Sequence, residues 1–462
     1  MKSSSSIFGA LSYALALVLC LSLVSCKGEG PDVRVSSVNL DYDALDLCVG
    51  ETAMLKATVS PSDATNQNVI WSSENPEIAS VADGVVCALA EGNTAIVAVT
   101  EDGGKKATCS LTVKPEPRNE VDEELSAAKA YDLSSTGTAN CYVVTNPGTY
   151  KFRAVKGNGK SPLKDMARCA VLWESFGTAV APSPKSLIRQ VGYEGGYILF
   201  KTTDVFKKGN ALIAAIDANG TVLWSWHIWI TDAPQGQVYF NEAGVVMDRN
   251  LGALSEKPGE ASALGLMYQW GRKDPFLGSS SISVPVSAEA SIAFPPVVKS
   301  DETTGTIEYA IAHPTTYITS GRDWDWCWHP EGTEALWPKS ESPKSLYDPG
   351  PAGWRVPDGG YEGFWVKVTS GNKRFTVPTD ESVRAANLSG LFGDDAAIWY
   401  PNTGVIDCST AELYGVGLCG IVWSAGSSDY LANCIVIEVD AKIYLVSSTG
   451  RAFGCPVRCV QE

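Results

Sequence analysis

The residues whose types and spacing could do chemistry gather in one heptapeptide, Asp323-Trp324-Asp325-Trp326-Cys327-Trp328-His329. In an extended segment successive side chains point to opposite faces. Trp324, Trp326 and Trp328 would then share one side, and Asp323, Asp325, Cys327 and His329 the other. A row of indoles is a platform on which sugar rings stack. The opposite row mixes carboxylate, thiol and imidazole, the donor types of a metal site. The competing reading is structural, because tryptophans also fill cores and seal loops. Trp324, Trp326 and Trp328 are therefore the candidate ligand-binding residues, and no metal is assigned.

Other reactive side chains are scattered. The histidines are His227, His313 and His329, and candidate carboxylates stand at Asp248 and at Asp394-Asp395. Nothing in the spacing sets two carboxylates at the separation that glycoside hydrolysis requires. A GxSxG elbow, an HExxH pair and a glycine-rich loop between strand and helix are missing, so no catalytic residue and no cofactor are assigned. Acidic loops are an alternative place for calcium. The formal net charge of −16 argues against nucleic acid and against adsorption to anionic lipid.

Of 13 cysteines, Cys20 lies in an apolar run from Ile7 to Val24, and Cys26 follows it. A basic start, an apolar stretch and small residues before the cut form a secretory signal. Leu23-Val24-Ser25-Cys26 resembles the bacterial lipobox. That resemblance implies lipidation of Cys26, removal of residues 1–25 and a lipidated tether over 26–32. The implied membrane link is through acyl chains, and more than one is needed for stable anchoring. Eleven further cysteines, an odd number, can oxidise in an exported chain.

The elements that must carry these residues fall into modules. Between 33 and 113, short strands alternate with turn signals, as in an all-β sandwich. Val49-Gly50-Glu51-Thr52, Pro61-Ser62-Asp63-Ala64-Thr65, Trp71-Ser72-Ser73-Glu74-Asn75, Ile78-Ala79-Ser80-Val81, Asp83-Gly84-Val85-Val86 and Glu91-Gly92-Asn93-Thr94 occur in order. They resemble the bacterial immunoglobulin-like group 2 family, which implies a rigid spacer with Trp71 between the sheets. Residues 114–126 have a linker's composition.

Residues 127–235 read as a second β-rich domain. Ala139–Val144 and Gly148–Phe152 form an expected strand pair around Asn146-Pro147-Gly148. In Val222–Ile230, Trp224, Trp226, Ile228 and Ile230 share one face, and Leu223, Ser225, His227 and Trp229 the other. A strand apolar on both faces is buried between layers, which makes His227 a core imidazole.

Residues 236–462 are rich in Gly, Trp and Pro and predict a loop-rich α+β head. Short helical turns are expected at Ser342–Tyr347 and Glu381–Ala386. Tyr361, Phe364, Trp365 and Val368 fall at helical spacing. Strands are expected near 420–425, 434–439, 442–446 and 455–460. Asp248-Arg249-Asn250-Leu251-Gly252, Tyr268-Gln269-Trp270-Gly271-Arg272-Lys273-Asp274-Pro275, Tyr347-Asp348-Pro349-Gly350-Pro351-Ala352-Gly353-Trp354, Val422-Trp423-Ser424-Ala425 and Val457-Arg458-Cys459-Val460 are similar to the Fibrobacter succinogenes major paralogous family. The resemblance implies a C-type-lectin-like head of the kind found on surface lipoproteins of Bacteroidota. That family carries a cysteine where this chain has Gly350, and the cysteine is the implied partner of Cys459. Without it, Cys327, Cys408, Cys419 or Cys434 substitutes, or Cys459 is free.

The expectation is thus a multidomain chain: Ig-like sandwich, β-rich domain, then α+β head. Its expected role is that of a non-catalytic outer-membrane lipoprotein at the cell surface. It would serve adhesion or extracellular ligand binding, with a glycan or a host or surface protein as partner. The alternatives are a glycan-acting enzyme using head carboxylates and a structural part of a surface assembly.

Overall fold

The computed structural model describes residues 32–49, 52–114, 125–239, 243–329, 331–369, 379–380, 384–387, 398–428, 430–438 and 443–462. Cys26, Asp394-Asp395 and most of the 114–126 linker lie outside the described residues.

The chain is mostly β, and its two described α-helices are short, Ile307–Ala312 and Phe364–Thr369. Among the described residues no helix is long and apolar enough to cross a membrane.

The first module is a sandwich. One sheet runs in the order Ala44–Cys48, Lys106–Lys114, Gly92–Thr100 and Val69–Ser73, and the other Thr52–Met54, Val85–Ala88 and Ala79–Ala82. Leu47, Ala53, Val86, Ile96 and Leu111 fill the space between them. Asp83 and Gly84 both take positive φ (48° and 83°), which closes the tight hairpin their types predict. A Cβ on Gly84 would lie 2.3 Å from the Leu55 carbonyl oxygen, so glycine is required there. Trp71 packs against this core from a half-buried position and not at its centre.

Two further sheets face each other across residues 131–230. One orders Cys141–Val144, Val222–Ile230, Gly209–Asp217 and Met166–Ser175; the other orders Tyr131–Asp132, Thr149–Arg153, Tyr197–Thr202 and Ile188–Glu194. The expected pairing of 139–144 with 148–152 is not made. These strands belong to opposite sheets, and residues between them turn a corner. Cys141–Val144 pairs parallel to His227–Ile230, and the Tyr142 ring stacks on Phe152 at 4.5 Å across the sandwich. Burial on both faces drives this choice, because a simple hairpin would leave one face of 141–144 bare.

The Val222–Ile230 strand behaves as its alternation predicts. Trp224, Trp226, Ile228 and Ile230 enter the sandwich core. On the other face Trp229 joins a core shared with Met247, Leu251, Trp270, Trp326, Trp423 and Cys459. The packing therefore continues across residue 235 into the head.

In the head, Cys419–Ser428, Leu431–Glu438 and Ile443–Gly450 form an antiparallel sheet. The Phe364–Thr369 helix covers it with Phe364, Trp365 and Val368, as its spacing predicts; Tyr361 stays outside at 85% exposure. Val460–Gln461 pairs with both Val245–Met247 and Trp354–Arg355, which pins the last strand between two segments distant in sequence. Ser342–Tyr347 is not helical. Lys344 Nζ donates to the Gly350 and Pro351 carbonyls (3.2 and 2.9 Å), and Asn140 Nδ2 reaches the Leu346 carbonyl at 2.7 Å. These bonds, the last of them across 206 positions, hold the segment open. Of the expected turn at 381–386, Ala385–Asn387 is a strand and 381–383 lie outside the described residues.

Candidate functional site

The heptapeptide does not run extended. Asp323 and Trp324 both adopt left-handed backbone, φ 56° and 59°. For non-glycine residues this conformation is sparsely populated, and it persists only where surroundings hold it. Asp325 supplies the hold. Its carboxylate takes Arg451 Nε at 2.9 Å and the Cys327 amide at 3.0 Å. Arg451 Nη2 also donates to it, and Nη1 donates to Thr333 Oγ1 at 2.5 Å. The two ion-pair side chains are 3% and 1% exposed. Burial pushes the Asp325 carboxyl above its ordinary range, with Arg451 opposing the shift. The Trp324 carbonyl accepts from the Ala452 amide at 2.9 Å, which seats the turn on the end of the Ile443–Gly450 strand.

The three indoles consequently diverge. Trp324 is 56% exposed, with the Tyr430 ring 6.4 Å away. Trp326 is 1% exposed and donates Nε1–H to the Trp270 carbonyl at 2.7 Å, so it is core and cannot meet a ligand. Trp328 is half-buried under the Arg322 guanidinium, 4.6 Å above its ring. The shared aromatic face is thus replaced by one presented indole, Trp324, with Trp328 beside Arg322. The opposite row is dispersed as well. Asp325 is taken up by Arg451, and Cys327 is buried with its thiol pushed up to about 11 by burial. Among the described residues no three His, Cys, Asp or Glu side chains are placed to hold a metal ion.

The residues that looked most motif-like form the head's internal polar frame. Arg249 grips Asp248 with Nε and Nη2, both at 2.9 Å, which removes Asp248 as a free carboxylate. Asn250 Oδ1 accepts from Arg458 Nε at 3.1 Å. Gln269 Nε2 donates to the Ile318 and Ala452 carbonyls (2.7 and 2.9 Å), and Trp423 Nε1 to the Tyr268 carbonyl (2.7 Å). Asp348 accepts from the Gly350 and Val356 amides at 2.8 and 3.0 Å. Such loop-rich backbone must bond its buried polar groups somewhere, and these side chains serve it.

His227 is the core imidazole expected. Its Nε2 lies 2.9 Å from Asn210 Oδ1 and its Nδ1 3.4 Å from Cys141 Sγ, and burial lowers its pKa to about 3. His313 stacks on Tyr309 at 3.9 Å on an exposed surface. Cys459 is buried and free. A Cβ built on Gly350 would lie 3.0 Å from its sulfur.

A second feature escaped the sequence reading. A small cleft is lined by Asp248, Arg249, Ser255, Glu256, Trp399 and Arg458, among others, and encloses about 10 Å³, the room of one water-sized group. The only sequence signal for it is two arginines inside otherwise buried motifs, 249 and 458.

The family model for the bacterial Ig-like domain (group 2) matches residues 34–111, so the chain carries such a domain. An α-L-arabinofuranosidase of Bifidobacterium longum subsp. longum is 30% identical over 200 residues, covering 39% of this chain and 19% of that protein. An Ig-like virion protein of Serratia phage KSP90 is 40% identical over 83 residues, covering 18% and 32%. A kappa-carrageenase of Pseudoalteromonas carrageenovora is 39% identical over 95 residues, covering 19% and 24%. The chain thus spans about a third or less of the length of these relatives. Among solved structures, domains 4 and 5 of the S-layer protein SbsC match with 23% identity and a TM-score of 0.16, covering 17% of this chain and 51% of that one. A Bacteroides ovatus SGBP-B from a mixed-linkage glucan utilization locus, in complex with a heptasaccharide, matches with 12% identity and a TM-score of 0.13, covering 49% and 52%.

Proposed function

We propose that this chain is a non-catalytic cell-surface binding protein that presents Trp324 to an extracellular glycan. In this reading Cys26 is lipidated and anchors the chain to the outer membrane. The 26–32 tether, the Ig-like module over 33–113 and the 114–126 linker hold the remainder away from it. The β-rich segment 127–235 and the lectin-like head 236–462 form the displayed end.

The observation that carries this reading is Trp324 itself. An indole 56% exposed, on left-handed backbone braced by a buried ion pair, is a preorganised contact and not a core residue. The Ig-like match at 34–111 supports a surface spacer. Two relatives named as arabinofuranosidase and carrageenase support a polysaccharide context. The enzymatic alternative loses Asp248 to Arg249.

The test is glycan-array binding by the full chain and by Trp324→Asn. Asparagine is chosen because it tolerates left-handed backbone. Binding that disappears in the variant at unchanged thermal stability is the expected result. A chain that binds no glycan, or a variant that binds equally well, overturns the reading.

A further inference from the structure

Two loops that carry exposed aromatic side chains rest on the same face of the head's antiparallel sheet. Gly450 ends the Ile443–Gly450 strand, and a Cβ on it would lie 2.3 Å from the Trp324 Cβ. The Trp324 turn therefore sits on the face to which position 450 points. Gly450 lies directly opposite Leu431, and Ser448 opposite Asn433. Directly opposed residues share a face, as do residues two apart on one strand, so Leu431, Asn433 and Ser448 belong to that face too. The second loop is seated on Asn433. A Cβ on Gly359 would lie 2.4 Å from the Asn433 Cβ and 2.6 Å from the Ser424 Cβ, an approach that glycine alone permits. Gly359 N–H donates to the Ala425 carbonyl at 3.1 Å, and Ala425 N–H to the Pro357 carbonyl at 2.7 Å, which fixes the loop to the sheet.

Positions 433 and 450 are diagonal neighbours across two paired strands, about 7–8 Å apart. The two loops thus stand side by side with a short strip of sheet between their seats. Leu431 and Asn433 are half-buried in that strip, and Ser448 is exposed. On one side stands Trp324, 56% exposed; on the other, two residues beyond Gly359, stands Tyr361, 85% exposed. A single exposed aromatic needs no explanation. Two on braced loops that flank one strip of sheet point to a shared ligand.

Polar groups gather at the second loop. Lys339 Nζ lies 3.7 Å from the place of a Cβ on Gly360, and both Asn433 amide atoms lie 3.9 Å from it. The Lys339 stem runs over Gly426, whose Cβ would come 2.9 Å from Lys339 Cε. Asn433 spends one N–H on the Ala425 carbonyl at 3.2 Å. Its amide oxygen accepts no hydrogen bond among the described residues. An amide, an ammonium and a hydroxyl give donors and acceptors for sugar O–H groups, and the aromatic faces serve ring C–H. One sugar ring covers one aromatic side chain; a chain of them reaches both.

We infer that the strip between Trp324 and Tyr361 is one binding groove for an extended oligosaccharide. A sugar ring lies on each aromatic side chain, and Asn433, Ser448 and Lys339 hold the hydroxyls between them. The inference deepens the glycan-binding reading and rests on it: the ligand is a chain of sugars and not a single terminal residue.

The experiment titrates the full chain by isothermal calorimetry with cellobiose and cellohexaose, xylobiose and xylohexaose, and arabinobiose and arabinohexaose. At least one hexasaccharide is expected to bind about tenfold or more tighter than its disaccharide, the scale of one added aromatic contact. Tyr361→Ala should bring that hexasaccharide down to the affinity of the disaccharide at unchanged Tm, because the ring it removes is exposed. Asn433→Ala should weaken the hexasaccharide as well; its Tm is read first, since this residue also bonds the Ala425 carbonyl. Equal affinity for both lengths, or an undiminished advantage in Tyr361→Ala, would overturn the groove. Binding lost in Trp324→Asn but unchanged in Tyr361→Ala leaves the Trp324 reading standing and removes the groove alone. A native chain that binds none of the six saccharides loses the groove, and one that also binds no glycan on the array loses both.

Discussion

Arg451 Nε meets the Asp325 carboxylate at 2.9 Å across 126 residues of sequence, and the residue before Asp325 is the exposed Trp324. The pair turns a stretch that alternation reads as a flat strand into a left-handed corner. One indole is pushed out, one is drawn into the core, and the third is capped by Arg322.

Breaking that pair should be expensive. Asp325→Ala leaves a guanidinium 1% exposed without its counter-charge, and such losses cost about 3–5 kcal/mol. Urea unfolding should show this as a lowered midpoint at similar slope. A loss below about 1 kcal/mol would mean that the corner is held by something else.

Gly350→Cys should form a disulfide with Cys459. The Cβ position at 350 lies 3.0 Å from the Cys459 sulfur, within reach of a bridging sulfur. The same Cβ approaches the Trp354 carbonyl oxygen at 2.8 Å, so the loop must give by a few tenths of an ångström. The expected gain is about 2–4 kcal/mol, lost on reduction. Peptide mapping under non-reducing conditions checks the link; two free thiols after oxidation would contradict it.

His227 predicts an acid limb of stability. Its pKa falls from an ordinary value near 6.5 in the unfolded chain to about 3 in the folded one. The unfolded state therefore binds the extra proton first. The stabilising contribution is full above about pH 6.5 and declines as pH drops toward 3, by about 1.4 kcal/mol per pH unit. Denaturant unfolding at pH 7 and pH 4.5 should differ by about 2–3 kcal/mol from this residue. His227→Gln should lack that part of the difference; an unchanged pH dependence in the variant would contradict the assignment.

Cys26→Ala should release the protein from the membrane fraction while leaving near-ultraviolet circular dichroism of the head unchanged. Acyl label that still incorporates, or a variant that stays membrane-bound, would show that Cys26 is not the anchor.

Legibility in the sequence followed the range of the forces involved. The Asp83-Gly84 hairpin is local, and its residue types announce it. The Val222–Ile230 strand shows its burial on both faces by composition, and the structure sets it between two cores. Phe364, Trp365 and Val368 mark their helix by spacing. Failures came where a distant partner decides. Residues 141–144 look like one arm of a hairpin until their parallel pairing with 227–230 is known. Trp326 looks like a ligand contact until Trp270 accepts its N–H. The hydrogen bond from Arg458 to Asn250 spans 208 positions, and no local pattern encodes that.

Glycan-array binding by the full chain beside Trp324→Asn decides whether Trp324 is the ligand contact. Binding by the native chain is expected, with a loss of at least about tenfold in the variant, the scale of one central aromatic contact, at unchanged Tm. Equal binding by both, or none by either, would contradict it.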